Sequence, residues 1–431
     1  MAERIEADSV SVESGKSEIR HRWGALRSLR HRDFALFWFG LLVSSIGSWM
    51  QNLAQGWLVY ELTHRKDYLG FVGAAGTLPI LFLTLPSGVI ADRFNKRRIT
   101  IITQTLLAAQ ALALAILAYY EIVRPWHVLL LASFAGLANA LDVPARQAMT
   151  IELVGRDDLL NAVALNSSAF NSARIVGPSI AGILIAAGTG SPVSKPALCF
   201  LINSISYLAV IVSLLIIRPK PVKGSSRTEP MLVQIREGIA FARRNVLIRS
   251  LLVLTGFASV FALQYPTVLP AFAKDVLKVD SRGLGAMMSA AGLGALSAAI
   301  FVAALGHLFK PKAMVILGSI LAPSGILALS ASHNFVLSIG CLVFTGFGMM
   351  LFLAVSNTIV QVASPDELRG RMLSLRTLVF MGLSPLGALQ IGTVAQHVGV
   401  QTSMAGGGII CIAAAVYFAF FSRFVKDECA Y

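Results

Sequence analysis

The chain has 431 residues, of which 56% are hydrophobic and 13% charged, and its mean hydropathy is +0.72. A soluble domain is excluded, because too little polar surface exists to cover so much apolar chain. The net charge of +14 would suit a nucleic-acid-binding protein, but the basic residues fall in segments between apolar stretches. The composition predicts a polytopic membrane protein that has the lipid bilayer, and not nucleic acid, as its partner.

Residues 1–33 are polar and are expected to form a cytoplasmic tail. The tail ends in a basic segment, from Arg27 to Arg32, and contains no apolar stretch before a small-residue cleavage site. We therefore expect no removable signal peptide. The basic flank is expected to keep the N-terminus in the cytoplasm.

Hydropathy predicts twelve apolar spans, each long enough for the ~20 residues that a ~30 Å hydrocarbon core requires. Their bounds are 34–61, 69–91, 98–120, 127–147, 160–188 and 196–217, then 247–272, 284–306, 313–331, 334–361, 375–396 and 404–424. All are expected to be helical, because lipid offers the backbone no hydrogen-bonding partner. The predicted fold is an all-α integral membrane protein with two six-helix halves, 34–217 and 247–424.

Most of the 36 Lys and Arg residues lie in segments on the same side as the N-terminus. This asymmetry predicts a multi-pass protein of the plasma (inner) membrane with both termini cytoplasmic, residues 425–431 forming the C-terminal tail. Residues 218–246 are predicted to be a cytoplasmic linker. Its segment 231–244 has the pattern of an amphipathic helix on the inner membrane surface.

The two halves repeat a pattern of residues. Asp157-Asp158-Leu159 precedes the fifth span, and Asp366-Glu367-Leu368 precedes the eleventh. A proline follows in each span, Pro178 and Pro385, and each is predicted to break its helix. Parallel six-helix repeats of this kind are typical of one class of membrane carrier.

The turn between the second and third spans holds one acid, Asp92, among several bases, and Gly88 precedes it at helical spacing. The segment resembles the signature loop Gly-x-x-x-Asp-Arg-x-Gly-Arg-Lys/Arg of major facilitator superfamily transporters. It departs from that pattern at Asn95 and Lys96. We expect Asn95 to take the left-handed backbone that a tight reversal needs.

A longer pattern narrows the resemblance. The block from Gly136 to Gly182, with Asn357, Gln361 and the segment from Pro365 to Arg371, is similar to the enterobactin-exporter-like transmembrane secretion effectors. The resemblance implies an exporter of small organic molecules, siderophore-, drug- or metabolite-like, that works as a proton antiporter with alternating access. The resemblance leaves open uptake as the direction of transport, and coupling to an ion other than the proton.

The resemblance also implies a charge cluster that holds an inner gate. Its members would be Gly88, Asp92, Arg93, Lys96, Arg97, Asp142 and Arg146. Asp142 lies near the cytoplasmic end of the fourth predicted span. It could instead be an acid solvated at the helix end.

A candidate substrate cavity follows from polar residues inside the spans. Arg174 is the most deeply placed charge, close to the midplane, where such transporters bind substrate. It could attract an anionic group, or bond backbone carbonyls at the expected break before Pro178. The full candidate set is Ser48, Gln51, Asn52, Gln55, Ser167, Asn171, Arg174, Gln264, Asn357 and Gln361. The stripe in span one could alternatively bind neighbouring helices together.

Other classes of function find little support in the residues. We find no Gly-rich phosphate loop, no metal-binding pattern of histidines and no Gly-x-Ser-x-Gly nucleophile elbow. The sequence therefore predicts neither an enzyme nor a cofactor. A non-transporting sensor or scaffold remains an alternative, but it should carry a soluble output domain. We expect a monomer.

The predicted orientation places Cys429 in the cytoplasm, because it follows the basic end of the last span. A membrane-impermeant thiol reagent should leave Cys429 unlabelled in intact cells and label it after lysis. Ready labelling in intact cells would contradict the topology.

Overall fold

The computed structural model describes residues 24–217 and 231–421, without the side chains of 24–25, 84–86, 88–93, 231–235 and 421. This part of the chain forms twelve long helices. They are α1 (Arg32–Thr63), α2 (Lys66–Arg93), α3 (Lys96–Tyr119), α4 (Pro125–Val154), α5 (Leu159–Ala187), α6 (Ala197–Ile216), α7 (Val246–Val276), α8 (Ser281–Leu305), α9 (Pro311–Ala331), α10 (Phe335–Val362), α11 (Asp366–Val398) and α12 (Val400–Phe421). Eleven are long and apolar enough to cross a membrane, and α2, with 28 residues, takes the place of the second predicted span. The predicted fold class is confirmed.

Within the first half, α1 packs on α5 and α6, α2 on α4, and α3 on α4 and α6. The second half repeats this arrangement, with α10 packing on α8 and α9, and α12 on α9 and α11. The two largest contacts between the halves are α2 with α11 and α5 with α8, and α7 also contacts α1 and α2. We call the end of the bundle where α1 ends and α2 begins the outer end, following the predicted orientation, and the opposite end the inner end.

Glycines let the halves approach closely. A Cβ on Gly70 of α2 would lie 2.5 Å from the carbonyl oxygen of Ala388 in α11, and one on Gly285 of α8 would lie 2.6 Å from that of Pro178 in α5. Side chains at these positions would force the backbones apart. The interface between the halves therefore depends on backbone-to-backbone packing near the outer end.

The turn between α2 and α3 does not use the expected backbone. Asn95 has φ −65° and ψ 110°, and its side chain accepts a hydrogen bond from the Arg98 backbone N–H at 3.1 Å. The expected left-handed conformation is wrong, because Asn95 acts as the N-cap of α3 and satisfies one of its free amides. A left-handed residue does occur at the outer end, where His64 follows α1 with φ 51°.

The two prolines behave differently. At Pro385, α11 is interrupted at Leu383, as predicted. At Pro178, α5 continues without a break, so that prediction is wrong. A proline inside a membrane helix is tolerated where neighbouring helices hold the chain, and Gly177 lies directly against the backbone of α1.

Two helices begin or run differently from the predicted spans. α11 starts at Asp366, nine residues before the predicted bound, because its first turns are too polar for a hydropathy window. α7 contains two π-helical stretches, Ala258–Ala262 and Phe272–Val276. Such irregular turns are common at functional sites.

A helix at Met231–Arg244 occupies the position of the predicted amphipathic segment. It packs on the first part of α11, where Glu237 forms an ion pair with Arg371. Its place on the membrane surface stays a prediction, as do the domain bounds of the tails and linker. Residues 1–23, 218–230 and 422–431 lie outside the described residues.

Glycine packing inside the second half gives a test of this fold. A Cβ at Gly346 of α10 would clash with the backbone of Ala291 in α8, whereas a Cβ at Gly340 would meet nothing within 4 Å. We expect Gly346→Ala to lower the free energy of unfolding by about 1–3 kcal/mol. Gly340→Ala is the matched control, and thermal unfolding of the purified variants is the measurement. Equal melting temperatures would contradict the α8–α10 packing.

Candidate functional site

Arg174 lies in the middle of α5, about 22 Å from the start of the helix at ~1.5 Å per residue. Its guanidinium carbon lies 5.7 Å from the centre of the Trp49 ring in α1. The hydroxyl of Tyr265 in α7 lies close enough to interact electrostatically with it, so both halves contribute partners. Among the described residues, no carboxylate pairs with Arg174. A half-buried cation with only aromatic partners can attract an anion.

The polar stripe of α1 divides into two environments. Gln51 is buried, donates to the side chain of Gln110 in α3 at 3.0 Å and accepts from Asn203 in α6 at 2.7 Å. Ser48 hydrogen bonds to the Tyr207 hydroxyl at 3.2 Å. These contacts bind α1 to its own half and favour, for Gln51 and Ser48, the alternative that the stripe binds neighbouring helices together. The physical reason is that amides buried in an apolar bundle must pair with one another.

The other cavity candidates are scattered along the helices. Asn52 and Ser167 are exposed, Gln55 is half-buried, and Asn171 is buried with its amide donating to the Ser167 carbonyl. Gln264 lies in the irregular part of α7. Its amide donates to the Ser384 hydroxyl at 2.8 Å, which joins the interruptions of α7 and α11.

Asn357 and Gln361 of α10 both face arginines of α11. The Asn357 side chain accepts from Arg376 at 3.1 Å, and the backbone carbonyl of Gln361 accepts from Arg369 at 3.1 Å. Sequence analysis missed Arg376, since it lies at the edge of a predicted span and resembles one more basic loop residue.

Asp142 is buried between α3 and α4. One carboxylate oxygen accepts from Thr103 at 2.7 Å and from Gln104 at 3.0 Å. The other lies 2.5 Å from the Nε of Arg146. The expected position near the end of the helix is wrong, because α4 runs to Val154, about 18 Å beyond Asp142 at ~1.5 Å per residue. Its side chain is fully inaccessible, so a solvated acid at the helix end is excluded.

The bases of the α2–α3 turn have partners different from those expected. Lys96 pairs with Glu152 of α4 at 2.8 Å, an acid that sequence analysis missed. Arg97 donates to the backbone carbonyls of Leu214 and Leu215 at the end of α6. The side chains of Asp92 and Arg93 are not described, and Gly88 lies in the same segment. The residues of the predicted inner-gate cluster whose side chains are described thus form two separate groups. One group surrounds Asp142, and the other lies at the inner surface.

A second group of charges lies at the outer end and was also missed. The Tyr60 hydroxyl, from α1, lies 2.6 Å from both carboxylate oxygens of Asp275 in α7, and Lys66 pairs with the same acid at 3.3 Å. Glu61 of α1 pairs with Lys274 of α7 at 2.6 Å. The ion pairs between the halves in the described part of the chain lie here, whereas α5 and α8 are joined by serine hydrogen bonds. We call these five residues the outer gate.

One signal could have revealed the outer gate. Glu61 and Lys274 stand at the ends of the first helix of each half, which are equivalent positions in the internal repeat. Opposite charges at equivalent ends predict a contact across the pseudo-twofold axis of the repeats.

Two six-helix halves, closed at one end by ion pairs and enclosing a cation near the midplane, define a secondary transporter of the major facilitator type. Solved transporters share this fold. A bacterial homologue of the human lysosomal transporter Spinster, in an inward-facing conformation, is 13% identical, with a TM-score of 0.73 over 91% of this chain and 97% of that one. The nucleoside transporter NupG is 14% identical, with a TM-score of 0.71 over 91% and 99%.

Residues 23–429 match the family model described as transmembrane secretion effector. The chain belongs to this family, and it is a transporter that exports small molecules and not an enzyme. The staphyloferrin A transporter of Staphylococcus aureus is 27% identical over 387 residues, 88% of this chain and 94% of that protein. The multidrug efflux pump Tap of Mycolicibacterium fortuitum is 27% identical over 380 residues, 85% and 90% of the two chains.

The outer gate predicts a shift in conformation when Asp275 loses its charge. Asp275→Asn removes the partner of Lys66 and weakens the bond to Tyr60, so the population open at the outer end should rise on the order of tenfold. Spin labels at exposed Tyr120 and Val398 report the distance between the halves at that end.

Asp67→Asn is the matched control. Asp67 pairs with Arg65 within the first half, and this hydrogen bond raises the pKa of Arg65. The control should leave the distance distribution unchanged. An unchanged distribution in Asp275→Asn as well would mean that the outer gate does not hold the halves together.

Proposed function

We propose that this protein exports a small organic molecule with an anionic group from the cytoplasm, in exchange for protons, by alternating access of its two halves. The proposed site is the plasma (inner) membrane, with both termini cytoplasmic and a monomer as the working unit. The observation that supports it best is Arg174. A cation without a carboxylate partner, between helices of both halves, favours an anionic group as its ligand.

Relatives that are named as efflux proteins support export as the direction of transport. The names of two relatives describe a staphyloferrin A transporter and a multidrug efflux pump, and each is aligned with more than four-fifths of this chain. A macrolide efflux protein of Streptococcus pyogenes is 23% identical over 88% of this chain. These relatives favour export of organic molecules.

The outer gate supports a position for this structure in the transport cycle. If the N-terminus is cytoplasmic, the ion pairs of Glu61 and Asp275 close the path to the outside. The structure then corresponds to an inward-facing state, which receives substrate from the cytoplasm. In the opposite state the outer gate opens, and Asp92 with the bases of the α2–α3 turn would hold the inner end closed.

Exchange for protons needs a carboxyl group that changes its protonation during the cycle. Asp142 is a candidate, because it is buried in the membrane-spanning part and lies against Arg146. Movement of Arg146 away from it during the cycle would leave a buried carboxylate without its ion-pair partner, which is a costly charge inside a membrane.

Proton coupling is tested by accumulation of organic dyes, anionic and cationic, in cells with and without the protein. The protein should lower accumulation of anionic dyes, and a proton uncoupler should abolish the difference. A difference that survives the uncoupler would exclude proton exchange as the driving force.

The role of Arg174 is tested by two substitutions. Arg174→Lys keeps the charge without the bidentate fork and should retain part of the export, whereas Arg174→Gln should lose it while its melting temperature stays unchanged. Arg282→Gln removes an exposed charge at the outer end and is the matched control. A Gln variant with full export and a lowered melting temperature would make Arg174 a structural residue.

A further inference from the structure

Arg376 is a second cation whose charge the described residues do not balance. Its guanidinium donates to Asn357 at 3.1 Å, to the Leu353 carbonyl at 2.8 Å and to the Ser356 hydroxyl at 3.1 Å. All three acceptors are neutral. The Nε–H is buried and has no acceptor in the described part of the chain.

The surroundings of Arg376 place it inside the second half and away from lipid. On the same helix, Met372 is fully buried, and Val379 lies 3.6 Å from the position of a Cβ on Gly256 in α7. The Phe380 carbonyl accepts from Ser259 of α7 at 2.6 Å. This face of α11 therefore packs against α7 and α10. The exposed part of a guanidinium placed there faces water, because contact with hydrocarbon would be costly.

The depth of Arg376 along the bundle axis can be compared with that of Arg174. It lies about 15 Å from the start of α11, whereas Arg174 lies about 22 Å from the start of α5, at ~1.5 Å per residue. Both helices start at the inner end. Arg376 thus lies between the inner surface and the midplane, on the half opposite to Arg174.

We infer that Arg376 is a second anion-binding residue, which takes a carboxylate-like group of the substrate on the inner side of Arg174. An anion there would accept from the second N–H of Nη1, which among the described residues donates only to Asn357, and would neutralise a charge that three neutral oxygens leave in place. A substrate with two anionic groups would then touch both halves at once. This inference rests on the proposed export function and adds the number and position of the anionic groups.

The test measures charge and access at Arg376 without measuring transport. Asn357→Cys, in a background without the native cysteines, is treated with an anionic and a cationic methanethiosulfonate reagent in detergent. The anionic reagent should react faster by roughly tenfold, as expected for a nearby unit charge in water-filled surroundings. In Arg376→Gln this preference should disappear, and in Arg376→Lys it should persist.

Arg369→Gln is the matched control. Arg369 lies on the same helix, but it is paired with Asp366 at 2.6 Å, so its removal should leave the preference unchanged. Leu353→Cys, one turn back along α10 at the residue whose carbonyl accepts from Arg376, is the second reporter if Asn357→Cys does not fold. Equal preference with and without Arg376, or no reaction of either reporter with either reagent, would overturn the inference.

Binding is tested with citrate as the probe anion. At ionic strength matched with sodium chloride, citrate should slow the anionic reagent several-fold in the protein with Arg376 and not in Arg376→Gln. Absence of this protection would overturn the assignment of Arg376 as an anion-binding residue.

A lipid headgroup could supply the same chemistry. The reaction is therefore repeated in nanodiscs of phosphatidylcholine alone and in nanodiscs that also contain phosphatidylglycerol. Equal preference in both supports a substrate group as the ligand. Loss of the preference only with phosphatidylglycerol would assign the site to lipid and overturn the substrate version.

Discussion

A positive charge near the middle of a membrane protein constrains everything around it. The guanidinium of Arg174 needs water, an anion or a set of dipoles, because hydrocarbon would cost several kcal/mol. Here it lies against Trp49 and Tyr265, which come from different halves. The partners of this charge therefore change whenever the halves move. This makes the position suited to sensing a bound anionic group.

The contacts between the halves combine two kinds of interaction. Glycines such as Gly70 and Gly285 bring backbones together and set the closest approach. Ion pairs such as Glu61–Lys274 add attraction that water can replace when the end opens. Partly exposed ion pairs contribute about 0–1 kcal/mol each. A few of them therefore stabilise the closed outer end without preventing it from opening. Such a balance suits a reversible transition between two states.

Inside the first half, polar side chains have the opposite effect. Gln51, Gln110 and Asn203 form a buried chain of hydrogen bonds across α1, α3 and α6. Asp142 binds α4 to α3 through Thr103 and Gln104. These bonds have no water to replace them, so they tie the helices of one half into a unit. The proposed rocking of two rigid halves requires such a difference between polar contacts that water can replace and polar contacts that it cannot reach.

The sequence by itself determined the class of fold, because long apolar spans must be helical in lipid and basic segments mark one side of the membrane. It also located Arg174, since a charged residue inside an apolar span can be recognised from the sequence alone. It did not separate Gln51, which bonds within its half, from Asn52, which is exposed, because adjacent residues share one polar stripe.

Only the tertiary structure decided which charges meet. Lys96 pairs with Glu152, and Tyr60 with Asp275, over separations of 56 and 215 residues that no local pattern encodes. Arg376 looked like a loop residue until α10 placed Asn357 beside it. Helix formation in a membrane depends on local hydropathy, which the sequence carries. Pairing depends on how helices pack in three dimensions, and this follows from the whole chain at once.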